Sequence, residues 1–128
     1  MKLLLDTCIV LWAAGQNEKL SESARNLLMA PENLLFFSAA SIWEIVIKKG
    51  LGRDDFRVDP HRLRKMLIVH GYTELPVTAE HALAVEKLPL LHKDPFDRLL
   101  IAQAITEGMR LVTADYNVSQ YKQPVLAV

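Results

Sequence analysis

Cysteine occurs once, at Cys8, so neither a disulfide framework nor a thiolate metal cage is available. Charge of one sign is lacking too. Fifteen Lys and Arg balance fifteen Asp and Glu, which argues against a protein that coats nucleic acid indiscriminately and leaves a local basic patch open. No apolar run approaches the roughly 20 residues needed to span a bilayer. The opening Met1-Lys2-Leu3-Leu4-Leu5 meets an acid at Asp6, which ends a signal-peptide core before it starts, so the expected location is the cytoplasm. Low-complexity tracts, repeats and linkers are absent. What remains is a 128-residue chain that is 51% hydrophobic, enough for one domain with a real core and too short for two.

Lys2 to Leu5 reads as a short buried parallel strand ending at Asp6-Thr7. Cys8 to Ala14 continues as a helix that stops near Gly15, and a second helix starts at Ser21 or Glu22 and closes before Pro31. Leu34 to Phe37 is again strand-like. Ser38 leads into a helix reaching about Lys49, stopped by Gly50 and Gly52. Pro60 opens a helix to about His70, and Glu74 to Val77 gives a short edge strand because of Pro76. A helix from Thr78 to about Leu88 follows. Asp94-Pro95 then starts a strong helix running to Gly108, with Asp94 as cap and Pro95 at its first position, where a missing N–H costs nothing. Arg110 to Thr113 and Val125 to Val128 complete the strands. Strands alternating with helices predict an α/β fold, a single domain over residues 1–128 whose mainly parallel central sheet is flanked by helices on both faces.

Four acids stand out against this frame. In parallel sheets, ligands gather beyond the carboxyl ends of the strands. Asp6 follows the first strand and Asp115 the strand ending in Thr113, while Asp97 lies in the first turn of the helix that Asp94 caps. Glu44 sits inside Ile42-Trp43-Glu44-Ile45-Val46-Ile47, apolar almost all round, which predicts burial. A buried unpaired carboxylate costs several kcal/mol or neutralises itself by a pKa shift. Four converging carboxylates repel one another, and a divalent cation relieves that repulsion. Oxygen ligands without a Cys or His cluster favour Mg²⁺, with Mn²⁺ as substitute, over zinc.

Blander readings exist for each residue taken singly. Asp6 or Asp115 could cap the next helix, Asp97 could be a first-turn acid, and Glu44 could pair with Lys48 one turn on. Cys8 reads as a small buried hydrophobe, and Trp12, Trp43, Tyr116 and Tyr121 read as packing residues rather than base-stacking platforms. The four histidines show no ligand spacing. It is the four acids together that point to a metal site.

The segments Leu4-Leu5-Asp6-Thr7, Ser38-Ala39-Ala40-Ser41-Ile42-Trp43-Glu44, Asp94-Pro95-Phe96-Asp97-Arg98 and Leu111-Val112-Thr113-Ala114-Asp115, in this order, resemble the PIN domain family, specifically the VapC-type ribonuclease toxins of bacterial toxin–antitoxin pairs. The resemblance places the family's catalytic and metal-binding acids on Asp6, Glu44, Asp97 and Asp115. It makes Thr7, Ser38 and Thr113 the hydroxyls that orient those carboxylates. It also implies Mg²⁺-dependent hydrolysis of RNA, homodimerisation and inhibition by a cognate antitoxin. Between Lys48 and Lys65 seven Lys or Arg stand against three Asp, a local excess suited to RNA phosphates or simply to a solvated surface. Lys48, Lys49, Arg53 and Arg98 are the candidate contacts. The expectation is an endoribonuclease working with a metal-activated water. Two alternatives stay open: a non-catalytic RNA- or protein-binding module, and an aspartate-based phosphatase, although such enzymes carry a second acid where this chain has Cys8.

Overall fold

The computed structural model describes residues 1–52 and 56–128. Five strands form one sheet: β1 (Lys2–Leu5), β2 (Leu34–Ser38), β3 (Thr73–Leu75), β4 (Arg110–Thr113) and β5 (Val125–Ala127). Their order is β3-β2-β1-β4-β5 and every neighbouring pair is parallel. The helices are α1 (Thr7–Gly15), α2 (Glu22–Met29), α3 (Ala39–Gly50), α4 (Pro60–Val69), α5 (Ala79–Ala84), α6 (Pro95–Glu107) and α7 (Tyr116–Ser119). The α/β architecture expected from the pattern is what forms.

Period-two alternation along β1 divides the core. Leu3 and Leu5 join Ile9 and Val10 of α1, Ala24 of α2 and Leu63 and Leu67 of α4 on one face of the sheet. Leu4 points the other way, toward Leu100, Ile101 and Ala104 of α6 and Val118 of α7. All three leucines of β1 are fully buried, each contributing roughly 1.5–3 kcal/mol of hydrophobic stabilisation. Helices therefore cover both faces.

Two helices differ from expectation, one in its end and one in its burial. The helix from Thr78 is α-helical only to Ala84 and then tightens into a 3-10 turn at Val85–Lys87. The helix holding Glu44 is not buried all round. Trp43 is 61% exposed and Val46 and Ile47 also face water, while Ile45 is fully buried. One side of α3 lies on the sheet, and no element covers the other among the described residues, so an all-round apolar sequence leaves an apolar outer surface.

Topology locates the crevice. The chain leaves β1 to build β2 and β3 on one side, then crosses back to place β4 on the other side of β1. Such a reversal of direction opens a gap beyond the carboxyl ends of the two strands that flank it. Here those strands are β1, ending just before Asp6, and β4, ending at Thr113.

Candidate active site

Three of the four acids stand at helix N-termini. Asp6 caps α1, its Oδ1 accepting from the Thr7 backbone N–H at 2.8 Å. Asp115 caps α7, its Oδ1 accepting from the N–H groups of Asn117 and Val118. Asp97 occupies the first turn of α6, whose cap is Asp94: Asp94 Oδ1 accepts from the N–H groups of Phe96 and Asp97 at 2.9 and 3.0 Å. The positive end of each helix favours the carboxylate form and offsets part of the cost of bringing anions together. Pro95 at the first helical position sets the direction of α6.

Hydroxyl groups tie the acids to one another. Thr113, fully buried, donates to Asp6 Oδ2 at 2.6 Å and accepts the backbone N–H of Asp115 at 3.0 Å. Thr7 donates to Glu44 Oε1 at 2.8 Å and also meets the Ser41 hydroxyl at 2.8 Å. Ser38, expected to orient a carboxylate, instead caps α3 by accepting the Ala40 N–H at 3.0 Å, and Ser41 is the hydroxyl of this segment that reaches the Thr7–Glu44 pair. Sequence alone does not tell which of the two serines faces the turn after β1.

The electrostatics agree with a crowded anionic site. Burial pushes the Asp6 carboxyl up; hydrogen bonds from Thr113 and Thr7 pull it back, and the charges of Glu44 and Asp115 push it up again. Asp97 is raised to about 7, first by burial, against the lowering effect of a hydrogen bond with His92, and then by the charges of Asp6, Asp94 and Asp115. Cys8 is half-buried beside Asp6 and its thiol is pushed up to about 12, mainly by burial and then by the Asp6 charge, so it is an unreactive neighbour.

Two of the acids face protein partners of opposite or donor character. Glu44 Oε2 lies 3.3 Å from Lys48 Nζ, one turn along α3, and the Glu44 side chain is 13% exposed. Asp97 Oδ2 lies 3.0 Å from His92 Nε2. No group of three or more His, Cys, Asp or Glu side chains among the described residues is arranged to hold a metal ion. The donor set itself suits one: it is all-oxygen and anionic, and the Asp6 and Asp97 carboxyls are pushed up by burial and by neighbouring carboxylates whose repulsion a divalent cation relieves.

The remaining candidates fall on both sides of this site. Lys48 is at it, through Glu44, and Lys49 is exposed on the last turn of α3. Arg53 lies outside the described residues. Arg98, next to Asp97 in sequence, turns away and donates to the Tyr121 hydroxyl at 2.8 Å and the Pro89 carbonyl at 2.9 Å. Tyr121 is buried, whereas Tyr116 is exposed and Trp43 packs edge-on against Phe96 at 5.2 Å while keeping most of its own surface in water. His92 was not selected from sequence. It precedes the helix that carries Asp97, so helical spacing gives no sign that the two side chains meet. No described helix is long and apolar enough to cross a membrane.

By fold, the chain is similar to a chain of VapBC2 from Rickettsia felis, solved bound to a DNA fragment from its promoter, with a TM-score of 0.70, 17% identity, and coverage of 99% of this chain and 98% of that one. It is also similar to VapBC-1 from nontypeable Haemophilus influenzae (TM-score 0.64, 16% identity, 100% and 97% covered). The PIN domain endonuclease Utp24 is a more distant likeness (TM-score 0.54, 20% identity, 99% and 84% covered). No curated protein matches the chain by sequence. The sequence profile of the PIN domain matches residues 3–124, nearly the whole chain. The chain belongs to the PIN domain family.

Proposed function

We propose that this protein is a Mg²⁺-dependent endoribonuclease, with Mn²⁺ as a substitute, acting as the toxin of a type II toxin–antitoxin pair. The observation that carries the reading is the meeting of carboxylates at the β1/β4 crevice: beyond the effect of burial, the charges of Glu44 and Asp115 push the Asp6 carboxyl up and those of Asp6 and Asp115 push the Asp97 carboxyl up, a crowding that helix capping does not call for. Asp6, Glu44, Asp97 and Asp115 would hold the cation. When bound, it would neutralise charge on a phosphodiester and lower the pKa of water at the site. Thr7 and Thr113 fix the carboxylates they touch. Lys48, released from Glu44 as the cation enters, would be free for an RNA phosphate, with Lys49 and Arg53 nearby in sequence.

The likeness to VapBC assemblies supports a protein antitoxin as partner. The exposed apolar surface of α3, with Trp43, Val46 and Ile47, supports burial against protein, in a homodimer or against the antitoxin. Cleavage of RNA by the purified protein with Mg²⁺, lost in Asp6→Asn and Asp97→Asn variants that fold normally, is the expected result. Retained metal-dependent cleavage in either variant refutes the assignment. A second reading, a binding module without catalysis, draws on the fact that Lys48 and His92 already engage Glu44 and Asp97. Absence of Mn²⁺ binding by titration calorimetry would decide for it.

A further inference from the structure

A directed chain of hydrogen bonds runs from Arg98 to Asp97 through two side chains to which the acidic site assigns no role. Arg98 Nη1 donates to Tyr121 Oη at 2.8 Å. Tyr121 Oη and His92 Nδ1 are 3.0 Å apart, and His92 Nε2 and Asp97 Oδ2 are also 3.0 Å apart. The rings of His92 and Tyr121 meet edge-on at 5.2 Å. Tyr121 is 3% exposed and the His92 side chain 12%, so water does little to loosen the chain.

The donor and acceptor inventory gives each bond a direction. A guanidinium only donates, so the tyrosine oxygen is its acceptor. The tyrosine hydroxyl proton then needs an acceptor of its own, and the described residues offer one, His92 Nδ1. With Nδ1 accepting, a neutral imidazole carries its proton on Nε2, and Nε2 donates to Asp97 Oδ2. Arg98 is itself anchored, at the Pro89 carbonyl 2.9 Å away. Among the described residues nothing donates to Asp97 Oδ1.

We infer that His92 is the positioning residue for Asp97: the Arg98–Tyr121 pair locks its ring and its tautomer, so that Nε2–H grips Oδ2 and leaves Oδ1 as the atom offered to the divalent cation. The inference rests on the reading of Asp97 as a metal ligand. A ligand carboxylate free to rotate loses that freedom on metal binding, and a neutral donor on its other oxygen reduces this entropic cost without cancelling its charge. Tyr121 acts one step further out. Without its hydroxyl the ring is free to place the proton on Nδ1, which turns the lone pair of Nε2 against the carboxylate.

The test measures Mn²⁺ binding to the full chain without RNA, in wild type and in Asp97→Asn, His92→Ala, His92→Gln, Tyr121→Phe and the His92→Gln/Tyr121→Phe double variant. Asp97→Asn is expected to lose the most affinity. His92→Ala should weaken binding about tenfold, within the usual range for such outer partners. His92→Gln keeps an N–H donor toward Oδ2 and should recover to within about threefold of wild type. Tyr121→Phe should weaken binding in the wild-type background yet add nothing in the His92→Gln background, because an amide has no tautomer to lock. A long-range ¹H–¹⁵N correlation spectrum of the metal-free protein should show His92 protonated at Nε2, and a tautomer mixture in Tyr121→Phe.

Equal Mn²⁺ affinity in wild type and His92→Ala, with Asp97→Asn impaired, overturns the inference and leaves the metal site standing. Tighter binding in His92→Ala also overturns it, showing that His92 competes with the cation. If Asp97→Asn binds Mn²⁺ as wild type does, or wild type binds none, the reading of Asp97 as a ligand fails and this inference fails with it. Equal losses from Tyr121→Phe in both backgrounds reduce that tyrosine to packing and remove the tautomer lock.

Discussion

If Asp97 is a ligand of the proposed cation, its value of about 7 predicts a metal affinity that depends on pH in a range that is easy to measure. At pH 6 an acid with that value is protonated roughly nine-tenths of the time, at pH 8 roughly one-tenth. A cation binds the carboxylate form, so the proton competes with it. The association constant for Mn²⁺ should therefore rise about tenfold from pH 6 to pH 8, worth about 1.4 kcal/mol, and level off above that. Binding should release about one proton from Asp97 at pH 6 and about a tenth of one at pH 8, which calorimetry in two buffers of different ionisation enthalpy reads directly. Asp6, also raised, can only steepen the dependence at the acid end.

The same shift has a consequence for the metal-free protein. Asp97 binds its proton more tightly folded than unfolded, since its ordinary value is 3.8. Its contribution to stability is fully present below about pH 4 and is lost as the pH rises through about 7. Added Mn²⁺ should thus raise the melting temperature more at pH 8 than at pH 6. The critical control is Asp97→Asn, in which most of the pH dependence should vanish. A Mn²⁺ affinity that is flat between pH 6 and 8, or an Asp97→Asn variant with the wild-type slope, refutes the reasoning.

Asp94→Ala removes an acceptor from two backbone N–H groups and should cost about 1 kcal/mol, a few degrees of melting temperature by calorimetry, while Mn²⁺ affinity stays within about twofold. Losses of cleavage as large as those of Asp97→Asn would show that Asp94 belongs to the site and not only to the helix. Thr113→Val is nearly isosteric and removes both the donor to Asp6 and the acceptor for Asp115 N–H. It should weaken Mn²⁺ binding about 10- to 100-fold by titration and destabilise by about 1–3 kcal/mol. Wild-type affinity in that variant would remove Thr113 from any role in orienting Asp6.

Local signals in the sequence marked the start of α6 because Asp-Pro is a statement about one helix terminus, needing no knowledge of neighbours. They marked the ends of β1 and β4 for the same reason. Strand order is not local. Nothing between Leu5 and Arg110 says that β4 returns to the far side of β1, and that return is what brings Asp6 and Asp115 to one crevice. Glu44 shows where periodicity fails: the segment around it is apolar almost all round, so its sequence does not say which side meets the sheet, and Trp43 proves to be outside. His92 was illegible because its meeting with Asp97 is made by the turn before α6, not by a repeat.

The way the acids are held argues for what they are for. Neutral hydroxyls do most of the holding: Thr113 joins Asp6 to the backbone of Asp115, and Thr7 joins the turn at Asp6 to Glu44. A lysine or arginine in either place would satisfy the carboxylates more strongly and would cancel the charge. Hydroxyl donors fix position and leave the negative potential intact; they pull the Asp6 carboxyl down only in part, and burial keeps it raised. Lys48, paired with Glu44, sits on a flexible stem with 43% of its side chain in water, so it can leave without disturbing the fold. A cluster selected for stability alone would be built the other way, with its charges paired and its hydroxyls spared. Charge held largely by neutral donors is the arrangement expected of the proposed cation site.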